Sequence, residues 1–286
     1  MAQTLRQLIA QPDLTVAPLV MDPLSARIAQ ANGFKAAYLG GGALGYLKVF
    51  TEANLSHTEI VQTGIDIRTA CPTLPLILDG ACGWGDPMHM HRTIPMAEAA
   101  GFQAIEIEDQ ILPKRVHHHT GTEHLIPLDL MVAKIRECKN ARTNDDFLLI
   151  GRTNAGRVSL DDGLRRAEAM YAAGADMILY FVNTIEDIVY LAERTEAPQM
   201  QLFAPGTGLD ELGVSRADMI GLGFRLIVDS LSPLIALHDA MQECYAQMAS
   251  GKPEPRRGVH RLDDIHKTIG LDALLAVEKE TVEKDS

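Results

Sequence analysis

Hydrophobic positions along the chain fall into eight short apolar runs rich in Val, Ile and Leu, and each run precedes a segment with helical periodicity. Strands that alternate with helices pair in parallel, so eight such units predict a single closed (β/α)8 barrel of the TIM type. The predicted strands are residues 16–22, 36–40, 74–80, 104–109, 147–153, 177–181, 200–204 and 225–229.

Helix boundaries between these runs carry the usual sequence signals. The stretch DDGLRRAEAMYAAGA, residues 161–175, begins with two aspartates and has Gly174 near its end. Acidic residues favour the first turn of a helix, and glycine favours the position after its last turn. Beyond Gly251 the sequence GKPEPRRGVH is typical of a linker. We therefore expect a barrel at residues 1–250, followed at 251–286 by a linker and a C-terminal helical extension.

Polar residues stand where the predicted strands end. Asp22 closes the first strand, Asp79 the third, Glu108 and Asp109 the fourth, and Arg152 lies near the end of the fifth. The active site of such a barrel forms at the carboxyl ends of its strands. Helix capping explains single acids at these places, but several carboxylates at one mouth repel one another unless a cation lies between them. Carboxylate oxygens suit Mg²⁺ or Mn²⁺, which predicts a metal site at Asp79 and Glu108.

A run of three glycines, Gly40, Gly41 and Gly42, follows the second predicted strand. Glycine allows the backbone N–H groups to approach an anionic oxygen closely, and Arg152 has the planar fork that binds a carboxylate. We also count Tyr38, in the same strand, as a substrate-binding residue. These features favour a pocket for a 2-oxo or 2-hydroxy acid chelated to the metal.

Composition limits the classes of molecule that the protein is expected to bind. The chain has 286 residues, a net charge of -12 and a pI near 5.3. This acidic balance argues against nucleic acids and anionic membranes, since both are themselves negatively charged. The sequence also has no apolar run of about 18 residues and no signal-peptide pattern at its start. We therefore expect a cytoplasmic protein that acts on a small anionic molecule.

Four blocks carry a resemblance to a known family. In chain order they are VMDPLSARIAQANGFKAAYLGGG, LILDGACGWGD, IEIEDQILPKR and LIGRTNA. Together they resemble the isocitrate lyase and phosphoenolpyruvate mutase superfamily over roughly residues 15–250. The resemblance implies a Mg²⁺-dependent barrel that makes or breaks C–C or P–C bonds in small 2-oxo or 2-hydroxy acids through an enolate. It also implies a homotetramer whose last helix is exchanged between subunits.

Residue roles follow from the same resemblance. It implies that Asp79 and Glu108 belong to the metal shell, that Gly40 and Gly41 make backbone contacts to an oxyanion, and that Arg152 binds a substrate carboxylate. These are the residues that the strand ends alone had indicated.

The catalytic loop departs from the lyase pattern. Where lyases carry Lys-Arg-Cys-Gly-His, this chain has Lys114, Arg115, Val116, His117 and His118. The cysteine that would protonate the departing enolate is therefore absent. We expect His118 to supply the proton instead, and Lys114 to contact the bound anion when the loop closes.

Two other interpretations of the histidines at 117, 118, 119 and 124 stay open: a transition-metal site, or a solvated surface loop.

Three further positions matter. A second metal-shell aspartate is expected at Ala81, so the metal would take a water or another ligand there. Glu52 lies where the family has an acid-bearing loop, which makes it a candidate base or partner of a metal-bound water. Phe181 replaces a glutamate that methylisocitrate lyases have, and a buried third carboxylate without a polar partner would be unstable. This disfavours isocitrate and methylisocitrate as substrates.

Our leading hypothesis is a Mg²⁺-dependent C–C lyase that cleaves a small 2-hydroxy diacid, of the substituted malate type, by a retro-aldol route. An oxaloacetate-type decarboxylase or hydrolase needs the same metal and arginine. A phosphonate mutase and a catalytically silent binding protein are the remaining alternatives.

Overall fold

The computed structural model describes residues 3–182, 184–253 and 260–283, without the side chains of His118, His119 and His260. Eight strands alternate with helices along the described chain. They are β1 Thr15–Pro18, β2 Ala37–Leu39, β3 Leu76–Asp79, β4 Ala104–Glu108, β5 Leu148–Thr153, β6 Met177–Tyr180, β7 Gln199–Phe203 and β8 Phe224–Asp229.

All strand pairs are parallel, in the order β1-β8-β7-β6-β5-β4-β3-β2. A bridge between Leu19 and Tyr38 joins the two outer strands, where the Val20 N–H donates to the Tyr38 carbonyl at 2.9 Å. The sheet therefore closes on itself, and the predicted (β/α)8 barrel is confirmed.

Helices cover the outside of the barrel, and the ends of several are fixed by caps. In α7, the Ser159 hydroxyl accepts from the Asp162 N–H at 3.3 Å, and Gly174 ends the helix with φ +117°. This confirms the start and stop signals of that segment. The twelve helices are α1 Leu5–Ile9, α2 Pro23–Ala31, α3 Gly41–Leu47, α4 His57–Ala70, α5 Met90–Ala99, α6 Leu128–Ala141, α7 Leu160–Ala173, α8 Ile185–Ala192, α9 Arg216–Gly221, α10 Ser232–Ala249, α11 His260–Ile269 and α12 Leu271–Thr281 in the described part.

The first strand is shorter than predicted, and this changes the role of Asp22. The strand ends at Pro18, and Asp22 becomes the N-cap of α2, where its carboxylate accepts from the Ser25 N–H at 2.7 Å. Pro23 at the first helical position favours this early start. Asp22 therefore serves the helix, and the expectation that it closes a strand at the active site was wrong.

Strand β4 shows how the sequence directs side chains to the two faces of the barrel wall. Ile105 and Ile107 pack outward into the core beneath the helices, whereas Ala104 lies in the inner core. Since side chains alternate along a strand, Glu106 and Glu108 point into the barrel. Both are almost fully buried, with 1% of their surface exposed.

The C-terminal helices follow the barrel and leave apolar side chains in solvent. Helix α11 packs against α2, where the Arg27 guanidinium donates to the Thr268 carbonyl at 3.0 Å. Tyr245, Leu274 and Val277 are each more than half exposed. Exchange of the last helix between subunits stays a prediction. No helix in the described part of the chain is long and apolar enough to cross a membrane.

Close packing of α4 gives a test of the fold. A methyl group on Gly64 would lie 2.1 Å from a carbon of the buried Phe102 ring. We expect Gly64→Ala to lower the free energy of unfolding by about 1–3 kcal/mol through overpacking, despite alanine's better helix propensity. Urea unfolding measures this change. The matched control is Gly221→Ala in α9, where nothing lies within 4 Å of the new methyl group. Equal stability of the two variants would contradict the packing at Gly64.

Candidate active site

The carboxyl ends of β3, β4 and β5 bring the predicted site residues together. Asp79 ends β3, Glu108 ends β4, and Glu108 and Arg152 are direct register partners in adjacent strands. All three are buried, at 6%, 1% and 6% exposure. The parallel register alone therefore places two acids and one guanidinium beside one another.

Asp79 is held in one orientation by backbone donors on both sides. Its Oδ2 accepts from the Gly41 N–H at 2.8 Å and its Oδ1 from the Ala81 N–H at 3.0 Å. Each carboxylate oxygen keeps another lone pair for a metal. The Gly41 N–H thus orients Asp79 in this structure, and the expected backbone contact of Gly40 and Gly41 with a substrate oxyanion stays a prediction. Glycine favours this close approach of backbone to carboxylate, because a methyl group on Gly41 would lie 3.3 Å from Oδ2, closer than most side-chain contacts.

Arg152 lies at the centre of a buried polar network. Its guanidinium donates to Glu106 at 2.8 Å and to the Asn154 side chain at 3.1 Å, and lies 3.3 Å from the Glu108 carboxylate. Asn154 in turn donates to Glu108 at 2.9 Å. One face of the guanidinium lies 4.6 Å from the centre of the Phe181 ring, an attractive cation–π contact. These contacts fix the plane of the fork.

Glu106 and Asn154 are the site residues that sequence reasoning missed. Burial, opposed by Arg152 and reinforced by the nearby Asp79 carboxylate, raises the pKa of Glu106 to about 7. The Tyr38 hydroxyl also donates to Glu106 at 3.1 Å. The alternation Ile-Glu-Ile-Glu was the available signal, since two acids two residues apart in a strand share one face.

Lys114 reaches back from the loop after β4 and is itself buried. Its ammonium group donates to the carboxylates of Glu52 and Glu108. Glu52, in a short 3-10 helix after α3, also lies close to Asp79, since a methyl group on Gly41 would be 3.6 Å from one Glu52 oxygen. Glu52, Asp79 and Glu108 therefore form one cluster around Gly41 and Lys114.

Charges in this cluster favour a divalent cation. Four carboxylates share the cluster with two basic side chains, Arg152 and Lys114, and burial lowers the pKa of Lys114 to about 6, so negative charge is in surplus. Among the residues that the structure describes, no three His, Cys, Asp or Glu side chains form a ready coordination group. Mg²⁺ suits such a site, because it commonly binds one or two carboxylates and keeps waters or substrate oxygens as its other ligands. The four acids are Glu52, Asp79, Glu106 and Glu108.

A cavity of about 140 Å³ opens beside these groups. Its lining combines the charged residues Asp79 and Arg152 with several apolar side chains. The remaining lining residues are Tyr38, Gly40, Gly42, Ala43, Tyr46, Glu52, Phe181, Leu202, Ser230 and Leu231. The predicted residues Tyr38, Gly40, Gly42 and Glu52 thus share one pocket with Asp79 and Arg152.

Asp109 fixes the base of the catalytic loop and takes no part in the acidic cluster. Its carboxylate accepts from Thr153 at 2.7 Å and from the Asn154 N–H at 3.0 Å, with Arg166 at 3.4 Å. Its backbone carbonyl accepts from the Ile126 N–H, at the far end of the loop. Asp109, which closes the fourth predicted strand beside Glu108, therefore braces the loop and lies apart from Asp79 and Glu108 in function.

Between these anchors the loop carries the histidines. Val116, where lyases have their cysteine, is 61% exposed and begins the 3-10 helix Val116–Thr120. The rings of His117 and His124 stack with centroids 6.3 Å apart. The side chain of His118 lies outside the described part of the structure, so its role as proton donor stays a prediction.

The loop after β3 has a strained backbone and contacts the segment that carries Glu52. Ala81 and Trp84 have φ of +44° and +56°, in the left-handed region that costs about 1–2 kcal/mol for each non-glycine residue. The Trp84 indole donates to the Leu55 carbonyl at 3.0 Å and stacks on His57 at 4.5 Å. The loop that begins at Asp79 is thereby tied to the segment that carries Glu52.

The chain is similar to named bacterial proteins. It is 33% identical to a probable 2-methylisocitrate lyase of Corynebacterium glutamicum over 74% of this chain and 72% of that protein. It is 34% identical to an oxaloacetate decarboxylase of Chromohalobacter salexigens over 84% of this chain and 82% of that one.

A solved structure shows the same fold. A phosphonopyruvate hydrolase in complex with oxalate and Mg²⁺ superposes with a TM-score of 0.84 at 24% identity, covering 97% of this chain and 98% of that one. The family model for phosphoenolpyruvate phosphomutase matches residues 5–249. The chain therefore belongs to the phosphoenolpyruvate mutase family, within the isocitrate lyase and phosphoenolpyruvate mutase superfamily.

Proposed function

We propose that the protein is a Mg²⁺-dependent carbon–carbon lyase that cleaves a small 2-hydroxy diacid, of the substituted malate type, through an enolate. The observation that carries this proposal is the meeting of Glu52, Asp79 and Arg152 at one small cavity, with the Glu108 carboxylate 3.3 Å from the Arg152 guanidinium. A surplus of negative charge beside a fixed guanidinium suits a metal-chelated anion whose carboxylate needs a cationic partner.

The cavity wall supports a substrate with an apolar substituent. The cavity is also lined by Phe181, Leu202 and Leu231, whose side chains offer no hydrogen-bond donor to a further carboxylate. Burying an unpaired carboxylate costs several kcal/mol, whereas a methyl group gains about 0.8 kcal/mol on burial. We therefore propose an alkyl-substituted diacid in preference to a tricarboxylate.

Each residue has a proposed task. Asp79, Glu108 and Glu52 would hold the Mg²⁺ ion, which when bound would supply Lewis-acid polarisation of the oxygens of the substrate. Arg152 binds and orients a substrate carboxylate. Glu52 accepts the proton of the 2-hydroxyl group, or holds the water that does so. As the C–C bond breaks, its electron pair passes to the departing fragment, which His118 protonates.

Oxaloacetate decarboxylation is the second candidate. It is supported by the Chromohalobacter salexigens relative, which covers more of this chain than the methylisocitrate lyase relative does. The same metal and arginine would serve it, and it makes a smaller demand on the proton donor, which suits a loop with Val116 in place of cysteine.

Turnover tests the metal site directly. With Mg²⁺, the purified protein is expected to release a 2-oxo acid from alkyl-substituted malates, as measured by a coupled dehydrogenase assay. Asp79→Asn, which keeps one acceptor for the backbone, is expected to lower kcat/KM at least about 100-fold with a nearly unchanged melting temperature. The control is Asp86→Asn, an exposed acid farther along the same loop. Release of CO2 from oxaloacetate without malate cleavage would favour the decarboxylase, and full activity of Asp79→Asn in chelator would refute both.

Replacement of His118 tests its proposed role as proton donor separately. We expect His118→Ala to lower kcat by about 10²–10⁴-fold, the range for a general acid, with a smaller change in KM. Initial rates of product formation, measured across pH 5–9 at several substrate concentrations, give kcat and KM. His91→Ala, which removes an exposed histidine on α5, is the control. A His118→Ala enzyme with wild-type kcat, and a pH profile without an ionisation near neutrality, would exclude this role.

We further propose a homotetramer in which the C-terminal helices pack on neighbouring subunits. The exposed apolar side chains of α10 to α12 support it, since contiguous apolar surface commonly marks an interface. Light scattering after gel filtration is expected to give four times the chain mass of 31.2 kDa, and Leu274→Glu to reduce it. Lys279→Glu on the same helix should leave the mass unchanged. A monomeric wild-type protein would contradict the proposal.

A further inference from the structure

Lys134 is a fully buried lysine that the proposed reaction does not use. It lies on α6, outside the barrel wall, and only 2% of its surface is exposed. Burying an ammonium group is costly unless a specific partner stabilises it. Its ammonium group donates to the backbone carbonyl of Cys82 at 2.9 Å, and this contact places the donor directly against the loop that follows Asp79.

That loop needs external support, because it has a strained backbone. Ala81 and Trp84 both adopt left-handed φ values, and Gly83 between them has φ +78°. L-residues rarely persist there unless surrounding contacts over-determine the conformation. Lys134 holds the Cys82 carbonyl, in the middle of this run, and the buried Thr93 hydroxyl donates to the next carbonyl, that of Gly83, at 2.9 Å.

The loop conformation has a direct effect on the acidic cluster. The Ala81 N–H reaches Asp79 at 3.0 Å, and the Ala81 carbonyl accepts from the Glu108 N–H at 2.8 Å. A rotation of the adjoining peptide units would withdraw both bonds. It would also move Trp84, which is bound to the Leu55 carbonyl close to Glu52.

We propose that Lys134 is a positioning residue: its ammonium group, through the Cys82 carbonyl, holds the loop 80–84 in the conformation that orients Asp79 for metal binding. Lys134 does not touch substrate or metal, and acts through the loop alone. The part of the proposal that concerns metal rests on the proposed function, whereas the part that concerns the loop does not.

Trp84 provides a readout that is independent of turnover. It is the only tryptophan in the 286-residue sequence and lies within this loop, so the intrinsic tryptophan fluorescence of the protein reports the loop alone. In metal-free protein, Lys134→Met is expected to shift the Trp84 emission to longer wavelength and to increase quenching by acrylamide, because the released indole meets more water.

Metal affinity is the second readout. Replacing a residue that orients a metal ligand typically weakens binding by about 10–100-fold, and we expect Lys134→Met to raise the Mg²⁺ dissociation constant by about that factor in calorimetric titrations. The matched control is Lys139→Met, the same substitution at an exposed position of α6. Lys134→Gln is a second variant, in case methionine prevents folding; its shorter amide also withdraws the ammonium donor and is expected to act in the same direction.

The outcomes separate three cases. Red-shifted emission together with weaker Mg²⁺ binding, absent in Lys139→Met, supports the proposal. The proposal is overturned if Lys134→Met has the emission wavelength of the control and a Mg²⁺ dissociation constant within about twofold of it. The same holds if only the melting temperature falls, and Lys134 is then a structural residue. If the wild type binds no Mg²⁺, the proposed function fails, and the Trp84 emission of metal-free variants still decides whether Lys134 holds the loop.

Discussion

Repulsion among buried carboxylates at the barrel mouth is the constraint on which the rest of the site depends. Parallel strand ends bring Asp79, Glu106 and Glu108 close together, and Arg152 can neutralise only part of their charge. The raised pKa of Glu106 is a direct consequence of this crowding and burial. Lys114 donates hydrogen bonds from the loop to Glu52 and Glu108, and a divalent cation would neutralise the remaining charge.

Rigidity is the second property of the site. Its acids are placed by backbone donors and strained turns, which leave side chains little freedom. Asp79 is fixed by the Gly41 and Ala81 N–H groups, and the Arg152 guanidinium lies over the Phe181 ring. Such pre-organisation is suited to binding a small, highly charged acid, because the cost of ordering the pocket is met during folding and not during catalysis.

Much of the fold could be predicted from sequence, because strand and helix periods differ and the eight apolar runs are well separated. The site was predictable where a strand end alone decides it, as at Asp79 and Glu108. It was not predictable where the decisive contact comes from a distant segment: Asp109 turns to Thr153, and Gly41 donates to Asp79. Such contacts depend on packing angles that no local pattern records.

Binding of the metal itself is the most direct measurement of the central claim. Chelator-treated protein is titrated with Mn²⁺ in the presence of oxalate. The loss of the electron paramagnetic resonance signal of free Mn²⁺ gives the number of metal sites per chain. We predict one site per chain that Mg²⁺ competes for and that Glu108→Gln weakens. Absence of binding, or binding that is unaffected by Glu108→Gln and by Asp79→Asn alike, would contradict a metal centre between β3 and β4.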